Sequence, residues 1–193
     1  MIALRTLFRN RDGAAIVEFA MVSPLVLIML LGCFDLGHGI YTKAMLLGSI
    51  EKVSRDSTIE AATTGALDAK VTGAVRQIAP GATVTFERSY YTNFSDVRKP
   101  EDFTDNNHDG TCGNHEPYED ANGNGRWDAD RGMSGQGGAR DAVLYKVIVS
   151  YPRVFPVARF LGQSNTSRLV ATTVLRNQPY NLQDSITPTT RYC

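Results

Sequence analysis

Hydrophobic and polar positions divide the chain sharply at its amino end. From Ala14 to Phe34 the only ionisable side chains are the Glu18 carboxylate and the Cys33 thiol. At about 1.5 Å per helical residue, this run of 21 positions reaches roughly 30 Å, the thickness of bilayer hydrocarbon, and predicts one membrane-crossing helix. Arg5, Arg9 and Arg11 precede it. A basic flank holds the amino side in the cytoplasm and sends the rest of the chain across.

Beyond Asp35 the pattern turns amphipathic. Ile40, Ala44, Leu47, Ile50, Val53, Ser54 and Thr58 recur at spacings near three and four, with Lys43, Glu51, Lys52, Arg55 and Asp56 on other faces. The helix is predicted to continue from Leu36 to about Thr63, stopped by Gly65 and loosened near the membrane by Gly37, Gly39 and Gly48. A second helix is predicted over Ala66–Ala79, with Leu67, Val71, Val75 and Ile78 on one side and Pro80-Gly81 ending it. Strands are predicted at Thr83–Tyr91, Ala142–Tyr151 and Leu169–Leu175, where β-branched and aromatic residues dominate. Val154–Leu161 reads as a short helical turn or loop. The expected fold is α+β: a long amino-terminal helix packed on a small antiparallel sheet, with an insertion over residues 93–140.

A cleaved secretory signal would have a shorter apolar core ending in a small-x-small site, whereas Gly32-Cys33-Phe34-Asp35-Leu36-Gly37 continues as helix. Gly32-Cys33 resembles a lipoprotein site, but the preceding run is long and carries Glu18 and Pro24. Glu18 is the costly residue: an unpaired carboxylate in hydrocarbon costs roughly 2.5–3.5 kcal/mol and marks a functional position unless it reaches the headgroup water or pairs with Arg11.

The segment Arg11-Asp12-Gly13-Ala14-Ala15-Ile16-Val17-Glu18-Phe19-Ala20, followed by Pro24 and the leucine-rich run to Leu31, resembles the class III signal of type IV pilins. Its wording, with Phe34-Asp35-Leu36-Gly37, is most similar to TadE-like minor pilins (pseudopilins) of the tight-adherence pilus. Tyr151-Pro152-Arg153 and Leu175-Arg176-Asn177-Gln178-Pro179-Tyr180 are more loosely TadE-like. The resemblance implies that an integral-membrane prepilin peptidase cuts after Gly13, leaving Ala14 as the new amino terminus. It also implies a pilin-type helical spine, with other pilin and minor pilin subunits and the inner-membrane pilus assembly machinery as partners. On this reading residues 1–13 are a leader, 14–35 the transmembrane segment and 36–193 a periplasmic or extracellular head. A glycine lets a protease close around the backbone. A neighbour's new α-amino group could then neutralise Glu18 in the membrane, so that assembly supplies the missing partner.

The insertion is acidic and rich in Gly and Asn. Glu101–Arg131 holds nine Asp or Glu against two Arg, a local net charge of minus seven. Asp105, Asn107, Asp109, Gly110 and Glu116 match the spacing of an EF-hand calcium loop, in which short oxygen ligands alternate and glycine makes the turn. Asp120, Asn122, Asn124, Gly125 and Asp128 repeat the first part, but Arg131 stands where the bidentate glutamate belongs. No flanking amphipathic helices accompany either loop. Calcium is the expected cofactor, with the first loop the stronger candidate and a solvated acidic loop the alternative. Trp127 is expected to pack the loop onto the head.

Composition narrows the function classes. Charge balances at 20 Lys+Arg and 20 Asp+Glu without a sustained basic run, which argues against nucleic-acid binding. Three cysteines make no disulfide-dense scaffold, and His38, His108 and His115 have no zinc-site spacing and no nucleophile-base pattern. Cys112 and Cys193 would meet an oxidising periplasm, where they either join the loop to the carboxy terminus or remain lone thiols. The sequons at Asn93 and Asn165 matter only in a eukaryotic secretory pathway. The leading reading is a non-enzymatic minor pilin for surface attachment. A permanently anchored periplasmic calcium-binding or adhesion module comes second. A membrane-tethered enzyme would need a catalytic constellation that the residues do not offer.

Overall fold

Residues 13–57, 63–155, 157–160, 162–177 and 187–193 are described in a computed structural model. The basic leader, Leu161 and Tyr180 lie outside them. Helix α1 spans Ala14–Asp56 and α2 spans Thr64–Ile78. The strands are β1 (Thr83–Tyr91), β2 (Pro117–Asp120), β3 (Met133–Ser134), β4 (Ala142–Pro152), β5 (Thr166–Arg176) and β6 (Thr189–Tyr192), with a single helical turn, α3 (Val157–Phe160), between β4 and β5. The chain divides into two units: Met1–Tyr41 with Pro152–Ser167, and Thr42–Tyr151 with Arg168–Cys193.

In the first unit α1 exposes its apolar side chains, among them Ile16, Phe19, Met21, Leu25 and Met29. It is long and apolar enough to cross a membrane. Water would not tolerate this face, whereas lipid does not penalise it. Pro24, Gly37, Gly39 and Gly48 all lie within α1 without ending it; a glycine weakens a helix without removing any backbone hydrogen bond. Farther along this unit, Arg153 pairs with Asp35 and Phe155 lies 6.0 Å from Phe34 between ring centres.

The second unit is an α+β head. Thr42, Leu46, Ile50 and Val53 form the buried stripe of α1, while Ala44, Leu47 and Ile40 are exposed. The expected stripe is therefore correct at Ile50 and Val53 and slips before them. A period of 3.6 allows either a three- or a four-residue step, and the head lies over the four-residue one. Leu67, Val71 and Val75 of α2 complete the helical side of the core. Each such side chain contributes roughly 1.5–3 kcal/mol over remaining in water.

Gly65 does not stop a helix. It lies in the first turn of α2, whose N-cap Thr63 accepts the Ala66 amide through its hydroxyl. A favourable cap at Thr63 begins a new helix there, and a first-turn glycine costs it little.

The main sheet has the order β3-β1-β4-β5. β1 and β4 pair antiparallel over nine residues, from Thr83 opposite Ser150 to Tyr91 opposite Ala142. In β4, Val143, Tyr145, Val147, Val149 and Tyr151 join the core by simple alternation. Phe86 of β1 stacks on Tyr145 at 5.8 Å. Asp68 of α2 accepts the Tyr145 hydroxyl at 2.7 Å and pairs with Arg88 of β1, tying helix to sheet. The insertion adds two strands of its own: β2 pairs antiparallel with β6, and β3 with β1.

Candidate functional site

The amino-terminal residues form a simple arrangement. The Gly13 carbonyl accepts the Val17 amide at 3.2 Å, so the Gly13–Ala14 peptide is the first of the helix. A Cβ placed on Gly13 would meet nothing within 4 Å among the described residues. Glu18 lies one turn after Ala14, exposed and without an ion pair or hydrogen bond among the described residues. The alternative pairing with Arg11 lies outside them. Cys33 is a free, exposed thiol.

The insertion is built from two loops of the same design. In the first, Asp105 Oδ1 accepts the His108 and Asp109 amides at 2.6 and 3.2 Å, and Oδ2 accepts Gly110 at 2.9 Å. In the second, Asp120 Oδ1 accepts the Asn124 amide at 3.1 Å and Oδ2 accepts Gly125 at 2.9 Å. The turning residues Gly110 and Gly125 hold φ of 76° and 79°, values that disfavour a side chain.

Glu116 closes the first loop. Its Oε1 accepts the amides of Asn106 and Asn107 at 2.8 and 3.3 Å, and Oε2 accepts Gly113 at 3.2 Å. Glu101 does the same for the second: Oε1 accepts Ala121 and Asn122 at 2.8 and 3.4 Å, and Oε2 accepts Asp128 at 3.0 Å. These are the same three amide positions counted from each leading aspartate. The glutamate that Arg131 replaces in sequence is thus supplied from upstream of the loop. Arg131 instead bonds the Pro100 carbonyl and pairs with Asp102 at 2.7 Å, on either side of Glu101. Local spacing held no signal for Glu101, because the sequence pattern requires the closing glutamate to follow the loop.

Several contacts fasten the loops to the carboxy terminus. Cys112 and Cys193 form a disulfide with Cα atoms 5.8 Å apart, the Cys193 amide donates to the Glu116 carbonyl at 3.0 Å, and His115 stacks on Tyr192 at 4.6 Å. Arg191 of β6 donates to Asp120 at 2.6 Å. Trp127 donates its indole N–H to the Glu101 carbonyl at 2.9 Å and meets Phe103 edge-on at 5.7 Å. These bonds make the insertion an ordered annex.

The donor chemistry suits a hard cation better in the first loop than in the second. Asp105, Asp109 and Glu116 have no cationic partner among the described residues, whereas Asp120 has Arg191. Hydrogen bonds from the Thr111 hydroxyl and amide hold the Asp109 carboxyl below its ordinary range, and therefore ionised. Asn122 and Asn124 both donate to Asp128 Oδ2, at 2.7 and 2.5 Å. Among the described residues no three His, Cys, Asp or Glu gather closely enough to hold a metal alone, so amide and backbone oxygens would have to share the coordination.

Neither a curated protein nor a solved structure matches the chain. Residues 13–50, from Gly13 to the buried Ile50, match the family model described as TadE-like protein.

Proposed function

We propose that this chain is a processed minor pilin: a prepilin peptidase cuts it after Gly13, α1 holds it in the bacterial inner membrane with the head in the periplasm, and it joins a tight-adherence pilus used for surface attachment. The observation that carries this reading is a glycine with open space around its Cβ position, directly before a carboxylate that has no partner among the described residues one turn into an exposed apolar helix. Cleavage would place a new cation at Ala14, and packing of subunits would bring such cations to Glu18 of neighbours, lowering the cost of burying it. The work is structural, and no catalytic role is assigned to any residue.

Intact mass and amino-terminal sequencing of the membrane-extracted protein, with and without the peptidase, test it. An Ala14 terminus that depends on the peptidase is expected. An uncut Met1 form would overturn processing and favour a permanent anchor.

The paired loops support a second property, weak calcium binding through Asp105, Asn107, Asp109 and Glu116, with Asp120, Asn122, Asn124, Asp128 and Glu101 as a lesser site. Calcium titration of the full chain should show saturable binding that Glu116→Gln removes. Unchanged binding in that variant would sink the assignment.

A further inference from the structure

The connection between β4 and β5 belongs to the same unit as the amino-terminal part of α1. The Arg153 amide donates to the Asn165 carbonyl at 2.8 Å, just beyond Pro152, and the Gln163 amide donates to the Ala158 carbonyl at 2.9 Å. From Pro152 to Ser167 the sequence holds Val154, Phe155, Val157 and Phe160 together with Arg153 and Arg159, and no Asp or Glu. Apolar and cationic residues without a carboxylate are the composition that suits a lipid interface.

Two contacts fix the height of this connection along α1. Arg153 pairs with Asp35, and the Phe155 ring lies 6.0 Å from that of Phe34. Phe34 is the last residue of the apolar run and Asp35 is the first carboxylate after it, so the two mark the level at which α1 leaves hydrocarbon. The Asp35 side chain is only 11% exposed, so the connection covers the helix there. An ion pair sheltered in this way is screened less than one in open solvent. Val154, between the two tethering residues, is 59% exposed, and Arg159 is exposed as well.

We propose that the connection 153–165 lies on the phospholipid headgroup layer where α1 emerges from the bilayer, with Val154 in the interfacial zone, the exposed Arg159 available to lipid phosphates, and the Arg153–Asp35 pair as its tether. The headgroup layer is roughly 5–8 Å deep on each side of the hydrocarbon. Phe155 is offset from the end of the span by no more than that depth, so its neighbour Val154 meets lipid before it meets bulk water. A guanidinium makes charge-assisted hydrogen bonds to phosphate, and its aliphatic stem tolerates the apolar boundary. Lipid adjoins this level in every membrane-held chain, before any partner arrives. The inference rests on α1 crossing a bilayer, as proposed above, and on neither cleavage nor filament assembly.

The test uses the full chain in vesicles of phosphatidylethanolamine and phosphatidylglycerol, with Cys33→Ser and a fluorophore on the thiol introduced by Val154→Cys or, separately, by Leu25→Cys. Nitroxides carried on the lipid headgroup or midway along the acyl chain quench by contact. The Leu25 probe should lose most of its fluorescence to the acyl-chain nitroxide and the Val154 probe to the headgroup nitroxide. Arg153→Ala should remove most of the quenching at Val154 and leave that at Leu25; unchanged quenching at Val154 would overturn the tether. A quenched Leu25 probe beside a Val154 probe that neither lipid quenches would overturn the proposal and keep the membrane anchor. An unquenched Leu25 probe would remove the anchor, and the proposal with it. Shielding of the Val154 probe from aqueous iodide without quenching by either lipid would assign the surface to a second copy of the chain and likewise overturn the proposal.

Discussion

The Arg191 Nε donates to Asp120 Oδ2 at 2.6 Å, and the Asp120 side chain has no exposed surface. A guanidinium from the carboxy-terminal strand therefore sits on the leading carboxylate of the second loop, the oxygen that the proposed calcium site would use. Protein cation and metal ion would compete for one oxygen.

Arg191→Ala is accordingly expected to tighten calcium binding at the second loop several-fold while leaving the first loop unchanged. Trp127, the only tryptophan, lies in the second loop and reports on it by fluorescence. An unaltered midpoint in a calcium titration followed at Trp127 would contradict the competition.

The Cys112–Cys193 bridge closes a separation of 81 residues. On the chain-entropy account, a loop of that length stabilises the fold by about 4.5 kcal/mol at most, because the crosslinked unfolded chain has fewer conformations. Replacing both cysteines by serine should lower the denaturation midpoint of the head and expose β6 and the first loop to protease before the main sheet. Equal protease resistance in both forms would show that β2–β6 pairing alone secures the annex.

Glu18→Gln removes the charge and keeps the shape. Membrane insertion is expected to persist or improve, since the cost of a carboxylate in hydrocarbon disappears. Recovery in sheared pili should fall well below wild type while the membrane-bound pool grows. Wild-type recovery in the sheared fraction would remove Glu18 from any docking role.

Alkaline pH should weaken the head. Burial, followed by the hydrogen bond to Asp130, pushes Tyr91 up to about 12, and burial with the Asp68 bond raises Tyr145. A tyrosine in the unfolded chain loses its proton near 10. The folded state retains protons that the unfolded state has released, so this stability is complete below pH about 10 and declines as pH rises toward 12. Denaturant midpoints measured from pH 8 to 11.5 should fall along that course. Tyr91→Phe should flatten part of the decline.

Much of the helical part was legible because its signals are local. The run from Ala14 to Phe34 needs only its own length and composition to specify an apolar helix, and the pattern from Gly13 to Glu18 is contiguous. The β-branched and aromatic runs at Thr83–Tyr91 and Ala142–Tyr151 likewise announced two strands. Thr63 was missed as a cap because Gly65 nearby carried the louder signal. β2 and β6 were missed because four-residue strands have little period to read, and each owes its pairing to the other across the chain.

The linear order of residues determined the membrane-length helix, the class of the fold and the first loop, since each rests on neighbours within a few turns or a dozen positions. Tertiary structure alone decided which step of the helical stripe is buried, that Glu101 closes the second loop in place of Arg131, and that Arg191 occupies Asp120. Those outcomes depend on groups far apart along the chain. Hydrogen bonds and charges act through space, and their partners become known only when the chain has folded.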